Sequence, residues 1–243
     1  MRRYDIDYLR VIVFGLLIFY HVGMFFIPWG FHIKNPVIYD KPTFPMIFLN
    51  QWRLPLLFII SGIGTYYALS KRTGIRFIGE RLKRLLIPLI IGILFIVPPQ
   101  VYFERLNNGQ FGGSYFEFWP AHAFSGVYPE GNFSWHHLWF LPYLLLFSLM
   151  LTPIFLYLRR NSQNGFMRFM SKTVAGKFGL YVFILPLFVW ELYLKPHFPS
   201  THALVGDWYN LAHYATLFFS GFLLVSLKDA FWNTVKKHRR LYL

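Results

Sequence analysis

The sequence predicts an all-α fold: a polytopic bundle of about six transmembrane helices with both termini in the cytoplasm. Three observations carry that expectation. Hydrophobic residues make up 56% of the 243, charged residues only 14%, and the mean hydropathy is +0.41, where an ordinary soluble domain carries roughly 25% charge. The apolar residues gather in runs close to the roughly 17–25 residues that a bilayer requires. The basic residues are divided unevenly between the two sides that those runs define. Residues 1–243 read as one integral-membrane domain.

The runs fall at about 8–28, 54–70, 85–103, 138–158, 178–194 and 208–227. The first is followed by no small-residue cleavage site and reads as an uncleaved anchor. The second is short and carries Ser61, Gly62 and Gly64. The third contains Pro88, Pro98 and Pro99, so its outer end is expected to break or bend. Of the 24 Lys and Arg, 18 share one side: Arg2, Arg3 and the groups within 71–84, 159–177 and 228–240. Lys34, Lys41, Arg53, Arg105 and Lys195 lie on the other, and Arg10 lies inside the first run. That bias puts the basic side in the cytoplasm. It also accounts for the net charge of +14 without nucleic acid as a partner; the bilayer is the partner instead. The absence of Cys excludes disulfides, thiolate metal sites and Cys nucleophiles. Among the outer connections, the one over 104–137 is long and aromatic, with Gly112, Gly113, Gly126 and Gly131 as turn formers. His32, His122, His136, His137, His197 and His202 face that side.

Four groups of residues can carry chemistry. Arg10 and His21 lie within the first run, where ionisable side chains are costly and usually face a cavity or the bundle interior. Eleven residues of helix separate them by about 16 Å of rise and about 20° of rotation, so they share a face. Asp7 can pair with Arg10. A plainer reading has Arg10 reaching the headgroups and His21 bonding a neighbouring helix. The segment WRLPLLFIISG places Arg53 at the outer boundary and Ser61 deep in the second run; an anchor plus a packing notch would look the same. In GERLKRLLIPL, Arg81 and Arg84 are i,i+3 neighbours, with Glu80 able to pair with Arg76 and Arg84. Guanidinium groups bind phosphate in a bidentate way, but a positive-inside signal or a contact with anionic lipid has the same composition. In SWHHLWFL, the adjacent His136 and His137 cannot both face inward on a helix, so one is expected to line the site and the other to meet water. Trp135 and Trp139 also suit an interfacial belt. There is no phosphate-cradling Gly-rich loop, no His-Glu-x-x-His and no Gly-x-Ser-x-Gly, and the outer histidines lack metal-ligand spacing, so no metal is expected.

Taken together, the segments resemble the membrane acyltransferase 3 family, most closely its glucan-modifying branch. YDIDYLRVIVFGLLIFYH, with Asp7, Arg10 and His21, is similar to the family's opening signature. WRLPLLFIISG, with Arg53, Ser61 and Gly62, resembles its second motif; GERLKRLLIP, with Arg81, Arg84 and Pro88, its cytoplasmic basic motif; HHLWFL, with His137 and Trp139, the opening of a later span.

The resemblance implies transfer of an acyl group from cytoplasmic acyl-CoA to a hydroxyl of an extracytoplasmic glycan, in a bacterial inner membrane. The donor is a substrate, and no tightly bound cofactor is implied. It implies His21 as general base or acyl relay with Asp7 and Arg10 around it, Arg81 and Arg84 on the CoA phosphates, and Arg53, Ser61, His137 and Trp139 at the acceptor end. The chain has fewer spans than the family's usual complement. A second copy would complete the bundle, or the sequence is a shortened fragment without activity. A six-span carrier lined by Arg10 and His21 is the competing class.

Overall fold

The computed structural model describes residues 4–242, so Arg2 and Arg3, counted above on the basic side, lie outside the described residues. Among the described residues the regular elements are helices, and a lone bridge pairs Val127 with Phe133. Helix α1 spans Tyr4–Met24 and α2 spans Thr43–Leu69. Helix α3 runs over Gly74–Asn107 and contains two π-helical turns, Leu82–Leu86 and Gly92–Ile96. The short α4, Tyr115–Ala121, lies in the long connection, where Ser114 and Glu117 form a reciprocal capping box. A 3₁₀ turn, His136–Trp139, leads into α5, Phe140–Arg160. There follow α6 (Gly165–Val174), α7 (Ile184–Tyr193), α8 (Trp208–Ser226), α9 (Asp229–Lys237) and α10 (Arg239–Tyr242).

The membrane-spanning count is lower than the six runs suggested. Among the described residues, α1, α2, α3 and His136–Arg160 are long and apolar enough to cross. A fifth is reached if α8 and α9, bent by 92°, make one span. The run at 178–194 yields only Gly179–Tyr193, a 3₁₀ turn followed by α7. The α-helical part, Ile184–Tyr193, is ten residues long, with Pro186 in its first turn, where a missing N–H is tolerated, and falls short of the roughly 17–25 residues a span needs.

The chain divides into two compact units: Met1–Leu54 with Lys83–Pro142, and Pro55–Leu82 with Tyr143–Leu243. In the first unit, Tyr20, Ile27 and Met46 form one buried cluster with Met24, Trp29 and Leu49 against it. Val97, Val101, Phe118 and Ala123 form another, joining α3 to α4. The expected break at Pro98 and Pro99 does not occur; α3 continues to Asn107. Pro98 has no N–H for the Leu94 carbonyl, and the Trp119 indole donates to that carbonyl instead, at 2.8 Å. The π-helical turn immediately before the prolines supplies the change of register.

In the second unit, α2 and α8 meet backbone to backbone. A Cβ at Gly62 would strike the Phe218 carbonyl, and one at Gly221 would strike that of Ile59. Small residues permit this approach. Phe58 stacks on Tyr214 with centroids 4.6 Å apart, and Phe155 on Phe222 at 3.9 Å. Arg159 donates to the carbonyls of Leu69 and Ser70, the last of which lies at 3.3 Å, and so closes the C-terminus of α2. The fully buried Asp207 accepts from the Tyr143 hydroxyl, from the Thr201 and His202 amides at 3.2 and 3.0 Å, and from Asn210. These bonds pin the 201–207 segment to the starts of α5 and α8. Gly221→Ala is therefore expected to destabilise the protein by about 1–3 kcal/mol through overpacking, read as a lowered thermal transition in detergent, while Gly15→Ala, with open space around it, leaves the transition unchanged or raises it.

Candidate functional site

The first unit gathers the chemistry. Helix α1 carries Tyr20 and His21 in its last turns and ends at Met24. The chain then folds back so that the Lys34 ammonium donates to the carbonyls of Met24 at 2.7 Å, Trp29 at 2.8 Å and Ile27. A cation on these carbonyls satisfies both their lone pairs and the negative end of the helix dipole. It also brings His32 back beneath the end of α1.

His21 accepts a defined role from its bonding. Its Nδ1 lies 2.7 Å from the Leu17 carbonyl, one turn earlier. A carbonyl can only accept, so Nδ1 carries the hydrogen and Nε2 bears the lone pair of the neutral ring. The ring meets His137 edge-on with centroids 5.6 Å apart. Arg53, from α2, is only 5% exposed, and its guanidinium carbon lies over the Tyr20 ring, 3.3 Å from the centroid. Its Nη2 donates to Asn50 Oδ1 at 3.1 Å, and the Tyr20 hydroxyl donates to the same oxygen at 3.1 Å. Arg53, Asn50 and Tyr20 thus lock α2 to α1 one residue from His21. Trp139 is buried at the entrance to α5.

Beside this pair stands a second cluster. Glu104, in the last turns of α3 and only 8% exposed, accepts from His32 Nδ1 on one oxygen and from the Tyr128 hydroxyl at 3.1 Å on the other. Burial and the Glu104 charge push the Tyr128 phenol above its ordinary range, so it remains a protonated donor. The rings of His32 and His136 are 4.3 Å apart, and Tyr128 meets His136 edge-on at 4.7 Å. His136 has φ of 39°, a conformation costing a non-glycine residue of order 1–3 kcal/mol. Its amide donates to Ser134 Oγ at 3.0 Å, which supports the turn. Of the adjacent histidines, His137 is exposed and His136 half-buried; what the structure corrects is the helix on which the expectation of opposite faces rested, not the difference in exposure. The segment is a 3₁₀ turn entered through a left-handed residue, not an α-helix, and both rings are engaged: His136 with His32 and Tyr128, His137 with His21. Among the described residues no group of three or more His, Asp or Glu is arranged to hold a metal.

The other expected residues are placed elsewhere. Arg10 Nη1 pairs with Asp7 Oδ1 at 3.4 Å, and α1 carries that pair about 16 Å along its axis from His21. In the second unit, Arg81 Nη2 donates to Thr65 Oγ1 at 2.8 Å and its guanidinium lies 4.9 Å from the Phe77 ring. Thr65 in turn donates to the Ser61 carbonyl at 2.9 Å, so Ser61 takes part through its backbone. Glu80 is bound by Arg72 at 2.7 Å and Arg76 at 3.6 Å. Arg84 is exposed in the first π-helical turn of α3. The second unit also holds a recess of about 430 Å³ lined by Phe166, Phe183, Thr216 and Phe219, among other mostly apolar residues, with none of the expected site residues in its wall.

Residues 3–239 match the acyltransferase domain family known as acyltransferase 3. The chain is 25% identical over 167 residues to the glucans biosynthesis protein C of Escherichia coli strain SMS-3-5, an alignment covering 68% of this chain and 42% of that protein. The K12 protein of the same name is 24% identical over the same length and shares. The chain thus spans about two fifths of the curated relatives it matches. No solved structure matches.

The geometry yields a stability prediction. Arg53→Lys keeps the charge but loses the flat guanidinium over Tyr20, and is expected to cost about 1–2 kcal/mol. Arg84→Lys, at an exposed site, should stay within about 0.5 kcal/mol. Thermal denaturation of both variants in one detergent makes the comparison.

Proposed function

We propose, from the premise that the chain belongs to the acyltransferase 3 family, that it is a membrane O-acyltransferase with His21 as its base. The donor is acyl-CoA presented from the cytoplasm, and the acceptor is a hydroxyl on an extracytoplasmic glycan at a bacterial inner membrane. The glycan reading draws on the similarity to proteins named for glucan biosynthesis. The single observation that carries the mechanism is the His21 bonding pattern. With Nδ1 committed to the Leu17 carbonyl, Nε2 is the nitrogen left to take a proton.

The acceptor oxygen attacks the thioester carbonyl while His21 Nε2 takes the hydroxyl proton. The carbon–sulfur bond breaks, the CoA thiolate departs, and the imidazolium returns the proton to sulfur. The products are the glycan ester and free CoA. His137, whose ring meets His21, stands where it can orient the imidazole or the acceptor. Arg53 holds the α1–α2 pair through Tyr20 and Asn50, so its part is to position His21 rather than to meet the acceptor. Arg81 and Arg84 are assigned to the CoA phosphates, as guanidinium groups on the basic side. Arg10 and Asp7, paired at the far end of α1, belong to the donor's entrance rather than to the base.

In membranes holding this chain, His21→Ala should reduce acyl transfer from labelled acyl-CoA by about 10²–10⁴-fold, the usual worth of a positioned base. Intact transfer in that variant would remove the base assignment. Arg81→Ala and Arg84→Ala should instead raise the apparent KM for acyl-CoA with stronger salt sensitivity and little change in kcat; an unchanged KM in both would remove the phosphate role.

A further inference from the structure

Glu104 and His32 have no part in the reaction just described, yet Glu104 is only 8% exposed and His32 is bonded to it. Both Glu104 oxygens are occupied, one by the imidazole of His32 and one by the phenol of Tyr128. His32 and Tyr128 then close on the same third ring, His136, at 4.3 and 4.7 Å. Two chain segments, the fold-back after α1 and the long connection, therefore meet at one imidazole, and Glu104 at the end of α3 ties their contacting residues to each other. His136 is held in a left-handed backbone conformation, with its Nε2 buried and without a hydrogen-bond partner among the described residues. A residue kept in such a conformation persists only where its surroundings over-determine it. The consequence is geometric. A left-handed residue redirects the chain by a fixed amount, and the next side chain is His137, which meets His21.

We propose that Glu104, through His32, is a positioning residue for the His21–His137 pair: it clamps His136 so that His137 stays packed on His21. A metal site is not formed by these residues. Direct contact with an acceptor through Glu104 does not fit its burial, at 8% exposed beneath His32 and Tyr128. The assignment rests on the reading of His21 as the reacting base only for its effect on turnover; the packing it describes can be read without turnover.

The test uses the whole chain in detergent or proteoliposomes, with two readouts. The first is histidine carbethoxylation followed by mass spectrometry, scored at His21. The second is acyl transfer, resolved into kcat and KM for the donor. Glu104→Gln, which keeps a partner for Tyr128 but loses the carboxylate for His32, is expected to raise His21 labelling several-fold at an unchanged thermal transition. It is also expected to lower kcat about tenfold or more with KM for acyl-CoA unchanged; Glu104→Asp should recover part of both. Should Glu104→Gln fail to fold, His136→Gly gives the same reading, because glycine accepts the positive φ while removing the clamped ring. It too should expose His21. Unchanged His21 labelling in a folded Glu104→Gln or His136→Gly protein would overturn the proposal, whatever the activity. Raised labelling with no turnover even in the parent chain would uphold the clamp and sink the acyltransferase reading instead.

Discussion

The first unit depends on the burial of one charge. Arg53 is 5% exposed and lies in a helix long and apolar enough to cross a membrane. A guanidinium stays ionised at any accessible pH, so it cannot escape burial by losing its proton. Leaving it without compensation there would cost several kcal/mol. Among the groups that answer that demand are the face of Tyr20 and the amide oxygen of Asn50, which Tyr20 itself also bonds. The partners are fixed in kind, a π face and an acceptor, and in place. Helix α1 must present Tyr20 to α2, and His21, the next residue, is then held at the edge of the same contact.

From that contact the rest of the first unit can be followed outward. Lys34 closes the end of α1 and folds the chain back. The fold-back delivers His32 to Glu104, and α3 reaches far enough to offer Glu104 because it is not broken at its prolines. Trp119 supplies the hydrogen that Pro98 lacks, so the same residue that anchors α4 keeps α3 intact. The second unit is organised by different means: the backbone contact at Gly62 and Gly221, stacked aromatic rings, and the Asp207 clamp. Arg81 is tied there to Thr65 and, through it, to the Ser61 carbonyl.

Much of this was legible in the residues, and the unreadable part has a common cause. Apolar run length gave the four long helices, because the bilayer thickness sets that length directly. The same rule overcounted at 178–194, where the composition is apolar but the α-helix, Ile184–Tyr193, is only ten residues long. Eleven-residue spacing put Arg10 and His21 on one face, but a shared face is not proximity, and the structure pairs Arg10 with Asp7. His21, Arg53, His137 and Trp139 are drawn toward one end of the first unit. Glu104, Tyr128, Asn50 and Tyr20 were given no role, and His32 was placed only among the outer histidines, since the bonds that join Glu104 to His32 and Tyr128, and Tyr20 to Asn50, span 24 to 72 residues. An available signal was Glu104 itself, a carboxylate ending an apolar run rich in proline. The left-handed His136 was not legible, because the enrichment of histidine at positive φ is too weak to mark one among nine histidines.

The central claim is that His21 and His137, 116 positions apart in sequence, face each other. The chain contains no cysteine, so a His21→Cys, His137→Cys double variant can be treated with a short bifunctional thiol reagent without side reactions at native thiols. The account predicts rapid intramolecular cross-linking in the membrane-embedded protein, and none in an Arg10→Cys, His137→Cys control. Cross-linking of the control pair in place of the 21–137 pair would contradict it.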